Sequence, residues 1–233
     1  MLKKLKTAVC RANRELVRHG LVVLTWGNAS GLDRERGLMV IKPSGVPYDA
    51  LKPADMVVVA LATGEVVAGD LNPSSDTPTH LELYRAFPHA GGIVHTHSRE
   101  ATAWAQARRP IPALGTTHAD HFHGPVPCTR LLKPAEIKRH YEAHTGRVIV
   151  ETFAGRDPAH CPGVLVAGHG PFTWGATVAE ALENAVALEQ IAHLARLTRQ
   201  LDPRVRPLPP VLLDRHFFRK HGPAAAYGQN PAG

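Results

Sequence analysis

The sequence predicts an α/β domain with a mixed or antiparallel sheet and helices packed on its faces. Three observations carry this reading. Short β-branched runs alternate along the chain with segments whose apolar residues recur at helical spacing. MVVVALATGEVVAG (56–69) reads as a tight hairpin about Thr63–Gly64, a connection that a purely parallel sheet does not use. No Gly/Ser linker interrupts the middle, so residues 1–233 are read as one domain, with a short mobile tail from about residue 223.

The elements follow in order. Leu2, Leu5, Val9, Ala12 and Leu16 recur at helical spacing among lysines and arginines, giving a first amphipathic helix. LVVLTWGNAS reads as a strand running into a turn at Gly27–Asn28, and GLMVIKPSG (37–45) as a strand ending in a Pro-Ser-Gly turn. PTHLELYRAF (78–87) has Pro78 at the first helical position behind capping residues. GGIVHTH is a strand, followed by a helix through EATAWAQAR. Residues 110–130 are irregular and rich in Pro, Gly and His. PAEIKRHYEAH is read as one helix, RVIVETF (147–153) as a strand, and VLVAGHG (164–170) as a strand breaking at a Gly-His-Gly turn. A long helix runs from about Thr177 to Leu201 with Ala181, Leu182, Ala185, Leu188, Ile191, Ala192 and Ala195 on its apolar stripe. LLDRHFFRKHG closes the chain as a last short helix before the tail.

Composition excludes several classes. Hydrophobic content of 44% and charged content of 20% are those of a soluble globular protein, and no apolar run approaches membrane-spanning length. The N-terminus lacks a signal peptide's apolar core, so a cytoplasmic location is expected. Cys10, Cys128 and Cys161 are scattered, which argues against a disulfide framework and a thiolate metal site. The formal charge of +7 is dispersed, without a dense basic run, and reads as a mild field favouring an anionic small substrate over nucleic acid.

The chemistry-bearing residues lie at strand ends. His95 and His97 share one face if the GGIVHTH strand continues through them, since i and i+2 project together. Two partly exposed histidines at a strand end are the plain alternative. His169, between glycines at the end of another strand, makes three imidazoles, the donor set of a catalytic zinc site with an open position. Asp76 in PSSDTPTH either completes that shell or caps the following helix. The turns at Gly27–Asn28, Ser44–Gly45 and Ser74–Ser75 carry N–H and hydroxyl donors suited to phosphate, and Lys42 shares a face with Ser44. Taken singly, each is only a turn. Asp120 and Tyr227 are acid–base candidates; a tyrosine in a tail often has no such part. From these residues alone the expectation is a metal-dependent enzyme acting on a small phosphate ester.

LTWGNAS, IKPSGV, PSSDTPTH, GGIVHTHS, GTTHADHFHG, PGVLVAGHGPFTWG and RKHGPAAAYGQ, in that order, resemble the L-ribulose-5-phosphate 4-epimerases of the class II aldolase/epimerase superfamily. The resemblance implies a three-layer fold with a mainly antiparallel sheet between helices, and a homotetramer with active sites between subunits. It implies inversion of L-ribulose 5-phosphate at C4 to D-xylulose 5-phosphate, in arabinose catabolism, by cleavage and re-formation of the C3–C4 bond with Zn2+ stabilising the enediolate. Mn2+ or Co2+ would also suit a histidine-rich site. It further implies that His95, His97 and His169 are metal ligands with Asp76 at or beside the metal. Gly27, Asn28, Lys42, Ser44, Gly45, Ser74 and Ser75 would hold the substrate, with Thr116, Glu142 and His216 near it, and Asp120 and Tyr227 would exchange protons. A sugar-phosphate aldolase of the same superfamily is the alternative. An adducin-like protein without a metal site is a third reading, which the intact histidine set counts against. VAGHG lacks a further histidine that some relatives carry two residues before His169.

Overall fold

The computed structural model describes residues 2–221 and residue 225. Seven strands form one antiparallel sheet. They are β1 (Gly27–Asp33), β2 (Leu38–Ile41), β3 (Val57–Ala60), β4 (Val66–Ala68), β5 (Gly92–Thr96), β6 (Gly163–Leu165) and β7 (Pro171–Gly175), in the spatial order β4-β3-β2-β1-β5-β7-β6. The helices are α1 (Lys3–Arg18), α2 (Thr77–Ala86), α3 (Arg99–Gln106), α4 (Thr116–Ala119), α5 (Pro134–Lys138), α6 (Tyr141–Thr152), α7 (Val178–Leu201) and α8 (Pro210–Phe218). Among the described residues no helix is long and apolar enough to cross a membrane.

Helices cover both faces of the middle of the sheet, and on β2, β3 and β5 successive apolar residues enter opposite cores. Met39, Ile41, Val57, Val59 and Ile93 enter a core with Tyr84, Phe87, Ile149 and Trp174. Val40, Val58 and Val94 enter a second core with Val9, Leu16 and Tyr48. The long α7 serves both along one face, through Val178, Ala181 and Ala185 of its first turns in the second core and Leu188, Ile191 and Ala192 further along in the first. Its Thr177 cap accepts the Glu180 N–H, as a helix N-terminus requires.

The central strand β1 is not where the sequence reading placed it. Leu21–Trp26 is irregular, with Leu24 in the left-handed region and Val23, Leu24 and Trp26 exposed. The strand itself is GNASGLD, a run of poor β-formers that is nevertheless buried along most of its length. Small size is what the position needs. A Cβ at Gly31 would lie 2.6 Å from Val178 Cγ2 and 2.7 Å from Leu5 Cδ1, so α1 and α7 both press on it. Asn13 of α1 completes the contact: its amide accepts from Ala29 N–H (2.8 Å) and donates to the Ala29 carbonyl (3.1 Å).

RVIVETF is helical, not a strand. In α6 the buried residues are Thr145, Gly146, Val148 and Ile149, a spacing of three and four. A short β-branched run does not reveal that period by itself. Gly146 lets α6 lie against α2, since a Cβ there would be 2.6 Å from Glu82 Cβ. PAEIKRHYEAH is two helices, because the chain turns at His140, which is left-handed (φ 55°). β7 had no counterpart in the sequence reading, although Phe172 and Trp174 alternate on it and are fully buried. Pro78 is the second helical residue, since α2 begins at Thr77.

Gly92 meets the N-terminus of α7 directly: a Cβ would sit 2.5 Å from Val178 Cα and 2.6 Å from the Thr177 carbonyl. Gly92→Ala should therefore cost about 1–3 kcal/mol by forcing backbone apart. Chemical denaturation would read this as a lowered midpoint at unchanged slope.

Candidate metal and phosphate site

Antiparallel pairing brings the start of β1, the end of β5 and the start of β7 to one end of the sheet, with Gly27 opposite Thr96 and His95 opposite Phe172. Three histidines converge there. The ring centroids of His95, His97 and His169 lie 4.7–4.9 Å apart, and one nitrogen from each falls within 4.8 Å of the others. His95 is buried, with its ring stacked on Phe172 at 4.1 Å. Its Nδ1–H donates to the Pro171 carbonyl (2.9 Å), which leaves Nε2 as the free electron pair. His97 follows the last residue of β5 and is exposed. His169 stands in the turn between β6 and β7. Gly168 there is left-handed (φ 74°), and Gly170 approaches so closely that a Cβ would be 2.6 Å from the Thr96 carbonyl. His169 Nδ1 is buried without a protein partner.

The electrostatics suit a cation. Burial pushes His95 and His169 down to about 3, and the neighbouring imidazoles add to the effect. Burial also lowers His97, against an opposing pull from Asp76. All three are neutral at physiological pH, so each has a lone pair to offer, and one nitrogen of each lies within 4.8 Å of the others. The donor set fits a divalent metal such as Zn2+, with His95, His97 and His169 holding it.

Asp76 is not part of this trio. It occupies the N-cap position of α2 yet its side chain makes no cap bond. Its carboxylate instead accepts from Asn28 Nδ2 (2.7 Å), which also reaches Ser74 Oγ (3.0 Å). The Asn28 Oδ1 is left buried and unpartnered.

A cavity of about 380 Å³ opens over the trio and is lined by Gly27, Asn28, Lys42, Ser44, Gly45, Ser74, Ser75, Asp76 and Glu142 with the three histidines. Two turns are zipped together along its wall: Ser44 N–H donates to the Asn72 carbonyl and Ser74 N–H to the Lys42 carbonyl. Those two amides are committed, so what these two turns still offer an anion is their serine hydroxyls and the amides of Gly45 and Ser75. Lys42 is buried, donates to the Pro43 carbonyl (3.1 Å) and lies 4.9 Å from the centre of the Tyr48 ring; burial lowers it to about 8. Thr25, Trp26, Pro43 and Tyr141 also line the cavity and were not singled out from the sequence. Tyr141 is the substantive omission: it begins α6 directly after the His140 turn, inside a segment read as uninterrupted helix, and its ring lies 6.3 Å from His169.

Thr116, Asp120 and His216 do not line this cavity. Thr116 begins α4 and Asp120 is the C-cap that follows it, and α8 lies against that turn. The Asp120 carboxylate accepts from His216 Nδ1 (3.0 Å) and Arg219 (3.0 Å) and pairs with Lys220 (3.2 Å). Burial acts to raise its pKa, but these three cationic or donor groups outweigh it and hold the carboxyl below the ordinary value. Tyr227 and the tail expected from 223 lie outside the described residues, Ala225 excepted.

Residues 7–196 match the family described as Class II Aldolase and Adducin N-terminal domain. A solved structure of an L-fuculose 1-phosphate aldolase superposes with a TM-score of 0.79 at 25% identity, covering 93% of this chain and 95% of its own. The L-fuculose-1-phosphate aldolase from Thermus thermophilus does so with a TM-score of 0.68 at 26% identity, covering 88% and 100%. YgbL from Escherichia coli gives a TM-score of 0.72 at 25% identity over 91% and 97%.

His169→Ala should fold and lose divalent metal binding, measured by metal analysis after dialysis against Zn2+; full retention would remove His169 from the ligand set. The metal-free chain should also be acid-sensitive. His80, His95 and His169 have folded pKa values near 3 against 6.5 ordinarily. Their contribution to stability is complete above about pH 6.5 and is lost as pH falls from there toward 3, because only the unfolded chain takes up the protons. Urea midpoints measured across that window should fall steadily.

Proposed function

Because the chain belongs to the class II aldolase and adducin N-terminal domain family, we propose that it is a metal-dependent enzyme that epimerises L-ribulose 5-phosphate at C4 to D-xylulose 5-phosphate. The observation that supports this most is the juxtaposition, in one cavity, of three neutral histidines with serine hydroxyls, free amides and Lys42. A phosphorylated ketose fits both halves. C4 bears no acidic proton, so deprotonation and reprotonation cannot invert it; the proposed route breaks and re-forms C3–C4, as the resemblance implies, with the two-carbon aldehyde turned over in between.

A divalent cation held by His95, His97 and His169, proposed as Zn2+, would supply electrostatic stabilisation of the negative charge that develops on the ketone-derived fragment. The chain's own residues do the rest. Ser44, Gly45, Ser74 and Ser75 hold the phosphate, so that the aldehyde fragment stays tethered while it rotates, and Gly27 and Asn28 line the approach between phosphate and metal. Asn28 keeps Asp76 beside the trio as an outer carboxylate rather than a direct ligand. Lys42 supplies a positive charge at the phosphate side. Glu142 and Tyr141 also line the cavity, with the Tyr141 ring 6.3 Å from that of His169.

Asp120, with His216 and Thr116 near it, and Tyr227 would handle the C4 oxygen on the two faces of the aldehyde. Asp120 does not line the cavity of its own chain, so this role needs a neighbouring copy to present it, as in the homotetramer that the resemblance implies. A sugar-phosphate aldolase is the second reading, favoured by the L-fuculose 1-phosphate aldolases among the structural relatives. It needs the same trio and phosphate turns but releases the aldehyde.

The test is incubation with L-ribulose 5-phosphate, expected to give D-xylulose 5-phosphate, to stop on chelation and to resume with Zn2+. Metal-dependent aldehyde release without epimer would transfer the assignment to the aldolase. Turnover by a verified metal-free protein would end the metal reading. Asp120→Asn should keep its metal and lose about 10²-fold or more in turnover, the scale of a lost acid–base group.

A further inference from the structure

His97 is the least supported of the three histidines. His95 is fixed by the Pro171 carbonyl and the Phe172 ring, and His169 by its glycine turn. The His97 imidazole is exposed and has no hydrogen bond to protein among the described residues. Its position depends on its backbone, which hangs between two anchors: Thr96, paired with Gly27 at the end of β5, and the first turn of α3, which begins at Arg99.

That first turn is held in an uncommon way. The first N–H groups of a helix have no partner inside the helix and are usually satisfied by the N-cap side chain. Ser98 occupies the cap position of α3 and makes no such bond. The partner comes instead from α7: one oxygen of Glu189 accepts the Glu100 N–H (2.8 Å) and the other accepts the Ala101 N–H (3.0 Å). A carboxylate is well suited there, since it meets the positive end of the helix dipole as well as two donors. The same turn is tied again by Glu100, whose carboxylate takes Arg196 (2.6 and 2.9 Å) and His193 (3.1 Å), both also on α7.

We propose that Glu189 is a positioning residue for the metal site: by clamping the first turn of α3 to α7 it sets where His97 stands relative to His95 and His169. The inference rests on the metal reading of the histidine trio. Glu189 touches neither metal nor substrate in this role. It acts through two backbone amides and the short stretch of chain that links them to His97. A neutral amide at this position keeps one acceptor but turns an NH2 toward the other amide, so the clamp opens on one side.

The experiment measures Zn2+ affinity by chelator competition, and the visible absorption of the Co2+-loaded protein, for wild type, Glu189→Gln and a control. Thr177→Ala is the control: it removes the cap of α7, whose hydroxyl accepts the Glu180 N–H (3.1 Å), and so weakens the same helix without touching α3. Glu189→Gln should bind Zn2+ about 10- to 100-fold more weakly, the usual scale for a lost outer support of a metal ligand, with an altered Co2+ band. Thr177→Ala should bind as wild type does despite a comparable fall in melting temperature. Wild-type affinity in Glu189→Gln would overturn the proposal, as would an equal loss of affinity in Thr177→Ala, which would mark the effect as general destabilisation. If Glu189→Gln does not fold, Glu189→Asp, which keeps the charge one methylene short, is read in the same way. A wild-type chain that takes up no metal overturns the trio reading itself, and this proposal with it.

Discussion

The pairing of β1, β5 and β7 at the middle of the sheet is the constraint on which the rest of the molecule depends. Because neighbouring strands run in opposite directions, the beginning of one, the end of the next and the beginning of the third meet at the same end. Loops that are far apart in the chain are thereby delivered to one place: Gly27–Asn28, His95–His97 and the His169 turn. The closeness is enforced by missing side chains. Gly27 lies against the His95 carbonyl and Gly170 against the Thr96 carbonyl, each nearer than a Cβ would allow. Convergence of the histidines is thus a property of sheet register, secured by backbone contact.

Around that frame the polar groups fall into two sets with opposite characters. One set is desolvated and neutral, comprising His95, His169 and His80, the last linked through Ser30 to Tyr84. The other is charged, with the Asp120 carboxylate held between Arg219 and Lys220 and hydrogen-bonded to the His216 ring. The first set suits cation binding and the second suits a carboxylate kept ionised. Within this chain the two sets occupy different regions, since Asp120 and His216 are absent from the wall of the histidine cavity.

How much of this was legible in the sequence depended on the kind of signal. The histidine positions were legible because glycines and apolar runs frame them, and the serine turns because Pro-Ser-Gly and Pro-Ser-Ser-Asp punctuate the chain. β1 was misplaced because its determinant is smallness under two helices, a tertiary demand that local propensity does not encode. α6 was misread because Val148–Val150 carries strand-like residues on a helical period set by packing on α2. β7 escaped because only Phe172, Thr173 and Trp174 separate its proline from its glycine. Glu189 had no signal at all, since its partners lie 88 and 89 residues away and are backbone amides.

Burial of the imidazoles has a further consequence, in the stoichiometry of protons. A metal entering a site of protonated histidines must displace protons, which makes uptake sensitive to pH and to the buffer that receives them. Here desolvation has already removed those protons, with His95 and His169 neutral down to about pH 3. Near neutrality these two imidazoles would therefore have almost no protons to give up when a cation binds. Any proton released on uptake would then report on the cation's own water rather than on these two ligands.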